Sequence, residues 1–270
     1  MLLFILLLVL APHRIVSTAP SITEILFALG AGDEVVGDTT YCNFPEAAKT
    51  KTKIGGFTTP NIELILALNP DLVFTVGQSP NLAPALRQSR RAEVVTVHPD
   101  SVSGIFQSIQ TIADKIGKTE RGKVLIQSID KEIHESAPQN SRTTKPKVLF
   151  VVGRTPGSVT DLVVVGRGGY LTELIELAGG VNVAADAVVE YPRFSFEEVI
   201  HRDPDIIIDM GHGEMVTESQ KRAVKQLWQK YPFLRAVQHD AVFPVSAEYF
   251  VTPGPRVGQA VRDLRKIFSR

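Results

Sequence analysis

The chain has a single cysteine, Cys42, and a single tryptophan, Trp228, in 270 residues. One thiol excludes an internal disulfide and any zinc site of the multi-cysteine kind. Charge of one sign is not in surplus either, because 29 Lys and Arg balance 29 Asp and Glu. Binding to nucleic acid or to anionic lipid through bulk electrostatics is therefore not expected. Long apolar runs are also missing: the opening MLLFILLLVL is wholly apolar but stops after ten residues, about half of what a membrane-spanning helix needs. It resembles the apolar core of a secretory signal, with Val9–Ala11 as a small-residue cleavage site, and residues 1–12 are expected to be a leader removed on export. No cysteine follows it closely, so a lipid-anchored end is not part of this reading.

Catalytic signatures are equally scarce. The chain has no Walker loop and no GxSxG elbow, and VGRGGY (Val165–Tyr170) lacks the full dinucleotide fingerprint. The histidines, His13, His98, His134, His201, His212 and His239, are scattered singly. His212 and Glu214 in GHGE could touch a metal, but two ligands in one loop make a weak site. The expectation is a binding protein without cofactor or resident metal, not an enzyme.

What the chain does have is a repeat. NIELILALNPDLVFTVG at 61–77 returns as SFEEVIHRDPDIIIDMG at 195–211, a shift of 134 that aligns Glu63 with Glu197, Pro70 with Pro204, Asp71 with Asp205 and Gly77 with Gly211. Each copy reads as an N-cap (Asn61, Ser195), a short helix, a proline stop and a buried strand. A second echo pairs TEILFALGAGDEVV (23–36) with TELIELAGGVNV (172–183), displaced by 149, so the second half carries about 15 extra residues around VTDLVVVGRGGY. Ahead of the first echo, Arg14–Ser17 reads as a strand, Ser21 and Glu24 have capping-box spacing, and Gly30 is placed to stop the helix.

Between the halves, Ile105, Ile109, Ile112, Ile116, Leu125, Ile126, Ile129 and Ile133 recur at helical spacing, with an interruption expected near Gly117 and Gly122. Strand–helix alternation in both halves predicts an α/β fold of two Rossmann-like lobes with largely parallel sheets joined by a long helix. The expected division is 13–101 for the N-terminal lobe, 102–137 for the helical bridge and 146–270 for the C-terminal lobe. A helical bridge allows less hinge motion than a Gly/Ser linker.

Ligands of parallel α/β sheets bind beyond the carboxyl ends of the strands. The turns expected there carry Tyr41, Phe44, Phe57, Tyr191, Phe194, Tyr249 and Phe250, a concentration of rings in a chain only 7% aromatic. Such a set suits a large, flat, partly apolar ligand. Glu63 and Glu197 occupy equivalent places in the two helices; a first-turn carboxylate suits the helix dipole, and a matched pair also suits docking to cationic sockets on a partner. Arg154 and Arg193 are the obvious cations in the turns.

HRIVSTAPSITEILFALGAGDEVVGDTTYCNFP, NIELILALNPDLV and FSFEEVIHRDPDIII resemble the helix-bridged periplasmic binding proteins that feed importers for cobalamin, siderophore-iron and haem, over nearly everything from His13 onward. GDTTYCNFPEAA and SAEYFVTPGPR are most similar to the cobalamin branch. The resemblance implies a monomeric extracytoplasmic carrier of a corrinoid that delivers it to the membrane permease of an ABC importer. It implies that Tyr41 contacts the corrin, that Ser246, Ala247, Glu248, Tyr249 and Phe250 line the opposing loop, that Tyr191 takes a ligand-facing aromatic position, and that Glu63 and Glu197 dock to the transporter. A ferric-siderophore or haem carrier stands as the alternative in the same class. A metal-dependent enzyme on the same scaffold, or a zinc or manganese carrier using His98 and His212, stands outside it.

Overall fold

A computed structural model describes residues 13–77, 82–89, 92–135, 144–211, 217–245 and 248–270. The leader, His212, Glu214, Ser246 and Ala247 lie outside the described residues. The chain divides into two compact units: the described residues up to Pro99 with Phe106–Leu125, and Asp100–Ile105 with Ile126–Arg270.

The first unit contains β1 (Ile15–Ser17), α1 (Pro20–Ala28), β2 (Val35–Asp38), β3 (Thr52–Lys53), α2 (Ile62–Ala67), β4 (Leu72–Val76), α3 (Leu82–Ser89) and β5 (Glu93–Val97). Its sheet runs β3-β2-β1-β4-β5 with every pairing parallel. That is a doubly wound order, reversing direction between β1 and β4. Val16, Ile65, Val73 and Leu86 meet in one of its core clusters, and all five residues of β4 are buried, as a strand covered on both faces requires. Helix α1 starts two residues earlier than the capping box implies: Ala19 is the N-cap, without a side-chain bond, and Pro20 opens the helix. Proline has the dihedral for the first helical position and no amide to orphan there, and Glu24 is buried. Gly30 does end the helix, at φ +70°.

The predicted helical bridge is two helices, α4 (Val102–Lys115) and α5 (Thr119–Glu135). The break is at Gly117, whose φ of +67° favours a residue without Cβ. Gly122 lies inside α5, where an added Cβ would come within 2.6 Å of the Ala113 Cβ; it permits close packing of the two helices and does not break either. Each helix begins in one unit and ends in the other, so the segment belongs to both units and forms no third body.

The second unit adds β6 (Lys147–Gly153), β7 (Leu162–Val164), α6 (Tyr170–Leu177), β8 (Val181–Asn182), β9 (Arg193–Phe194), α7 (Phe196–Arg202), β10 (Ile206–Asp209), α8 (Glu218–Gln229), α9 (Arg235–Gln238), β11 (Val242–Pro244) and α10 (Val257–Phe268). The order is β11-β10-β6-β7-β9, with β8 also on β6. Parallel pairing holds around β6, β8, β10 and β11, whereas β7 pairs antiparallel with both β6 and β9. The extra residues of the second half build β7, and β7 occupies the flank of β6 that a longer β8 would otherwise fill. Helix α10 locks the unit: Arg265 donates to the Ile133 carbonyl at 2.6 Å and the Leu177 carbonyl at 2.8 Å, satisfying the open carbonyls at the ends of α5 and α6.

Both copies of the repeat fold alike. Asn61 Oδ1 accepts the Leu64 amide at 3.0 Å and Ser195 Oγ the Glu198 amide at 3.3 Å. Each helix is followed by a left-handed residue, Asn69 at φ 44° and Asp203 at φ 45°. Then Asp71 Oδ2 accepts the Arg14 amide at 2.8 Å, and Asp205 Oδ2 accepts the Lys147 amide at 2.8 Å. The side chains of Arg14 and Lys147 reach back to equivalent carbonyls, Leu68 and Arg202. The repeated aspartate is thus a clamp between the turn and the first residue of the central strand's segment.

Candidate functional site

In the first unit the turns beyond β2 and β3 are stitched together. The Thr40 amide donates to the Gly55 carbonyl at 3.0 Å, and Gly55, at φ +105° with the Thr59 carbonyl 2.9 Å from where a Cβ would sit, closes the second turn against Pro60. A Cβ on Gly56 would lie 3.8 Å from the Tyr41 ring. The Tyr41 ring therefore lies over the turn that carries Phe57. Tyr41 is 62% exposed and Phe44 45% exposed, and Phe57 is half-buried. Rings this open in a turn held by its own backbone bonds are available to a ligand.

Under this turn lies a buried polar cluster that sequence reading passed over. Asp38, at the carboxyl end of β2, is fully buried and takes the Lys53 ammonium on Oδ1 at 2.7 Å. Lys53 Nζ also donates to the carbonyls of Cys42 at 3.3 Å and Ala48 at 3.0 Å. Burial pushes the Asp38 carboxyl up to about 6, against the pull of Lys53 and the more distant Lys51. Cys42 is buried between the hydroxyls of Thr23, 3.1 Å, and Thr39, 3.2 Å. Burial raises its pKa, the Asp38 charge adds to this, and the hydroxyls oppose it, so it stays an uncharged, shielded thiol. The one available signal was a charged residue ending a buried strand.

The second unit treats its predicted residues unequally. Tyr191 is 45% exposed, and partial burial with the neighbouring Glu190 carboxylate pushes its hydroxyl up to about 12. Tyr249 is half-buried, donates its hydroxyl to Asp263 Oδ2 at 2.6 Å, and has the Arg256 guanidinium 5.5 Å from its ring. Burial raises its pKa, with Asp263 adding to the effect. Glu248 lies in the same short turn, partly buried. Phe194 and Phe250 correct the expectation. Phe194, 7% exposed, sits on β9 opposite Leu162 within the core. Phe250, 2% exposed, packs edge-on to Phe150 at 5.9 Å. Both rings are committed to the interior and present no face to a ligand.

Arg154 is corrected too. It is buried, with Nε 3.0 Å from Asp209 Oδ2 and Nη1 donating to the Ser158 carbonyl at 3.0 Å. Its charge is neutralised inside the unit, whereas Arg193 is exposed. Trp228 is wholly buried and donates to the same Asp209 oxygen at 2.6 Å. A cavity of about 930 Å³ in this unit lies apart from the ring-bearing turns, beside β11 and the start of β10; its Lys225 pairs with Asp240 at 2.6 Å and its Arg270 lies 5.8 Å from the Phe243 ring. Among the described residues no group of three or more His, Cys, Asp or Glu side chains could hold a metal ion, and no helix is long and apolar enough to cross a membrane.

Glu63 and Glu197 are both exposed in the first turns of α2 and α7. Hydrogen bonds from its own backbone amide and from Ser195 hold the Glu197 carboxyl below its usual range.

Two α/β units with exposed rings beyond strand ends, linked by helices they share, define a ligand-binding body of the class that presents solutes to transporters. The chain belongs to the periplasmic binding protein family, whose model matches residues 15–249. It is 30% identical over 94% of its length to an ABC transporter substrate-binding lipoprotein, YvrC, of Bacillus subtilis, covering 79% of that protein. It is 28% identical over 93% of its length to the vitamin B12-binding protein of Vibrio cholerae serotype O1, covering 87% of it. The structure of the periplasmic haem-binding protein RhuT from Roseiflexus sp. RS-1, in its apo form, superposes with a TM-score of 0.79 at 30% identity, over 96% of this chain and 98% of that one.

Proposed function

We propose that this chain is an extracytoplasmic binding protein that captures cobalamin or a related corrinoid and delivers it to the permease of an ABC importer, without catalysing a reaction. The observation that carries the reading is the exposed pair Tyr41 and Phe44 on a backbone-stitched turn at the carboxyl ends of β2 and β3. A planar macrocycle offers such rings a broad apolar face. In this reading Tyr41, Phe44 and Phe57 of the first unit are ligand contacts, and so are Tyr191, Glu248 and Tyr249 of the second; Ser246 and Ala247, assigned to the ligand by the resemblance, lie outside the described residues. The carrier works as a monomer, and Glu63 and Glu197 meet cationic groups on the permease. The likeness to a vitamin B12-binding protein supports the corrinoid.

Haem is the second reading, favoured by the likeness to RhuT. An anionic ferric siderophore is less well served, since Arg154 already has Asp209 as its counter-charge. Protein incubated with hydroxocobalamin and desalted is expected to keep the corrin spectrum at one equivalent. Retention of hemin or a ferric siderophore in place of hydroxocobalamin overturns the corrinoid assignment. Retention of none of the three overturns the class of ligand.

A further inference from the structure

The buried Asp38–Lys53 pair has no role in covering a core. It sits directly beneath residues 39–45, the turn that bears Tyr41 and Phe44, and one ammonium joins three parts of it: the carboxylate ending β2, the Cys42 carbonyl within the turn and the Ala48 carbonyl just beyond. The other carboxylate oxygen, Asp38 Oδ2, is buried and has no hydrogen-bond partner among the described residues. A buried carboxylate held on one side only is poorly compensated. We propose that Lys53 positions the ring-bearing turn only while Asp38 carries its charge, so that this unit's grip on ligand is switched by protonation of Asp38. The inference rests on the reading of Tyr41 and Phe44 as ligand contacts.

The chemistry of the switch follows from what faces the pair. Lys53 and Lys51 are the cations acting on Asp38, Cys42 is the titratable neighbour in the turn, and from α1 and β1 the cluster is closed by the hydroxyls of Thr23 and Ser17, which bond each other at 2.7 Å. A proton on Asp38 removes the counter-charge that keeps a mostly buried Lys53 ammonium inward. The ammonium then gains more from water than from two carbonyls, and the turn loses its clamp. With the Asp38 carboxyl titrating at about 6, the clamped fraction is nearly complete at pH 7.5 and about a tenth at pH 5, which weakens apparent affinity about tenfold. The sign for the whole fold is opposite. A carboxyl whose folded-state pKa is raised binds its proton more tightly folded than unfolded, so Asp38 contributes more stability as pH falls from about 6 towards its ordinary value of 3.8. Loosening of the turn is therefore separable from acid unfolding.

Cys42, the only thiol, lies in the turn and is fully buried, and it reports opening without any ligand. The test is its rate of reaction with 4,4′-dithiodipyridine, divided by the rate in the urea-unfolded chain at the same pH, from pH 7.5 to 5.0, with the thermal midpoint followed in parallel. Protection is expected to fall about thirtyfold in the wild type, because the open fraction rises from about 0.03 to about 0.9, while the thermal midpoint shows no matching drop. In Asp38→Asn it is expected to be low and independent of pH. Hydroxocobalamin affinity should follow the same profile. Protection that stays constant in the wild type, or that falls equally in Asp38→Asn, overturns the proposal. If hydroxocobalamin and hemin both fail to bind, the functional reading fails, while the thiol measurement still decides the switch.

Discussion

Four residues past the clamping aspartate, the first copy of the repeat has Thr75 and the second has Asp209. Thr75 makes a neutral hydroxyl contact with Thr96 at 3.0 Å. Asp209 is a fully buried charge shared by Arg154, the Trp228 indole and the Gly211 amide. Up to that point the copies share the same cap bond, left-handed residue and aspartate clamp. The conserved part closes a turn onto the start of a strand, a task independent of what lies beyond. The divergent part is at the carboxyl ends of the strands, where each unit builds its own surface: a ring-bearing turn after β2, over Asp38 and Lys53, in one, and an Arg154 loop after β6, pinned by Asp209 of β10, in the other.

The sharpest way to break this comparison is to remove the divergent residue in each copy. Asp209→Asn leaves the buried Arg154 guanidinium without its counter-charge, which is expected to cost about 3–5 kcal/mol. Thr75→Val removes one neutral hydrogen bond and is expected to cost about 1 kcal/mol. Urea unfolding followed by Trp228 emission reads the second unit, since Trp228 is the sole tryptophan and touches Asp209; circular dichroism reads both units, so a transition seen there and not in the emission belongs to the first. Similar costs for the two variants would mean that Asp209 and Arg154 stabilise the unit no more than a hydroxyl pair does.

A smaller and equal effect is expected where the copies agree. Asn69→Ala and Asp203→Ala each force a Cβ-bearing residue without a local polar group into left-handed backbone, at about 1 kcal/mol. Glycine at either position is expected to restore or exceed wild-type stability. Asp203 also meets Arg235 at 2.5 Å in a solvent-exposed pair, whose contribution is small because water screens it. A cost confined to one copy would show that the turns only look equivalent.

Sequence reading went far wherever one residue type has one backbone consequence. Asn61, Ser195, Gly30 and the Pro-Asp pairs declared caps, a stop and strand starts, and the structure places all of them so. It faltered where a pattern admits two packings. Gly117 and Gly122 are the same letter, but only the first has positive φ, while the second lets α4 and α5 approach. Phe194 and Phe250 look like Tyr41 in a proline-containing turn, and burial alone separates them. Asp38 and Lys53 lie fifteen residues apart with no periodicity to link them; only adjacent parallel strands bring them together. The antiparallel β7 was visible as extra length and gave no hint of direction.

The matched glutamates carry the smallest expected effect on the fold and the most direct test of equivalence. Both are exposed, so Glu63→Ala and Glu197→Ala should leave unfolding transitions and hydroxocobalamin affinity unchanged within about twofold, as surface changes usually do. Importer-dependent uptake should fall with each variant and further with both, because charges at a rim govern orientation and encounter rate, and raising salt should mimic the loss. Glu197 is held in its charged form by its own amide and by Ser195. Acidification that protonates Asp38 and loosens the ring-bearing turn therefore leaves Glu197 charged. Uptake that fails at pH 5 in wild type with docking intact, measured by co-sedimentation with permease-containing vesicles, would place the acid-sensitive step in the first unit's turn. Loss of docking at the same pH would place it at the glutamates.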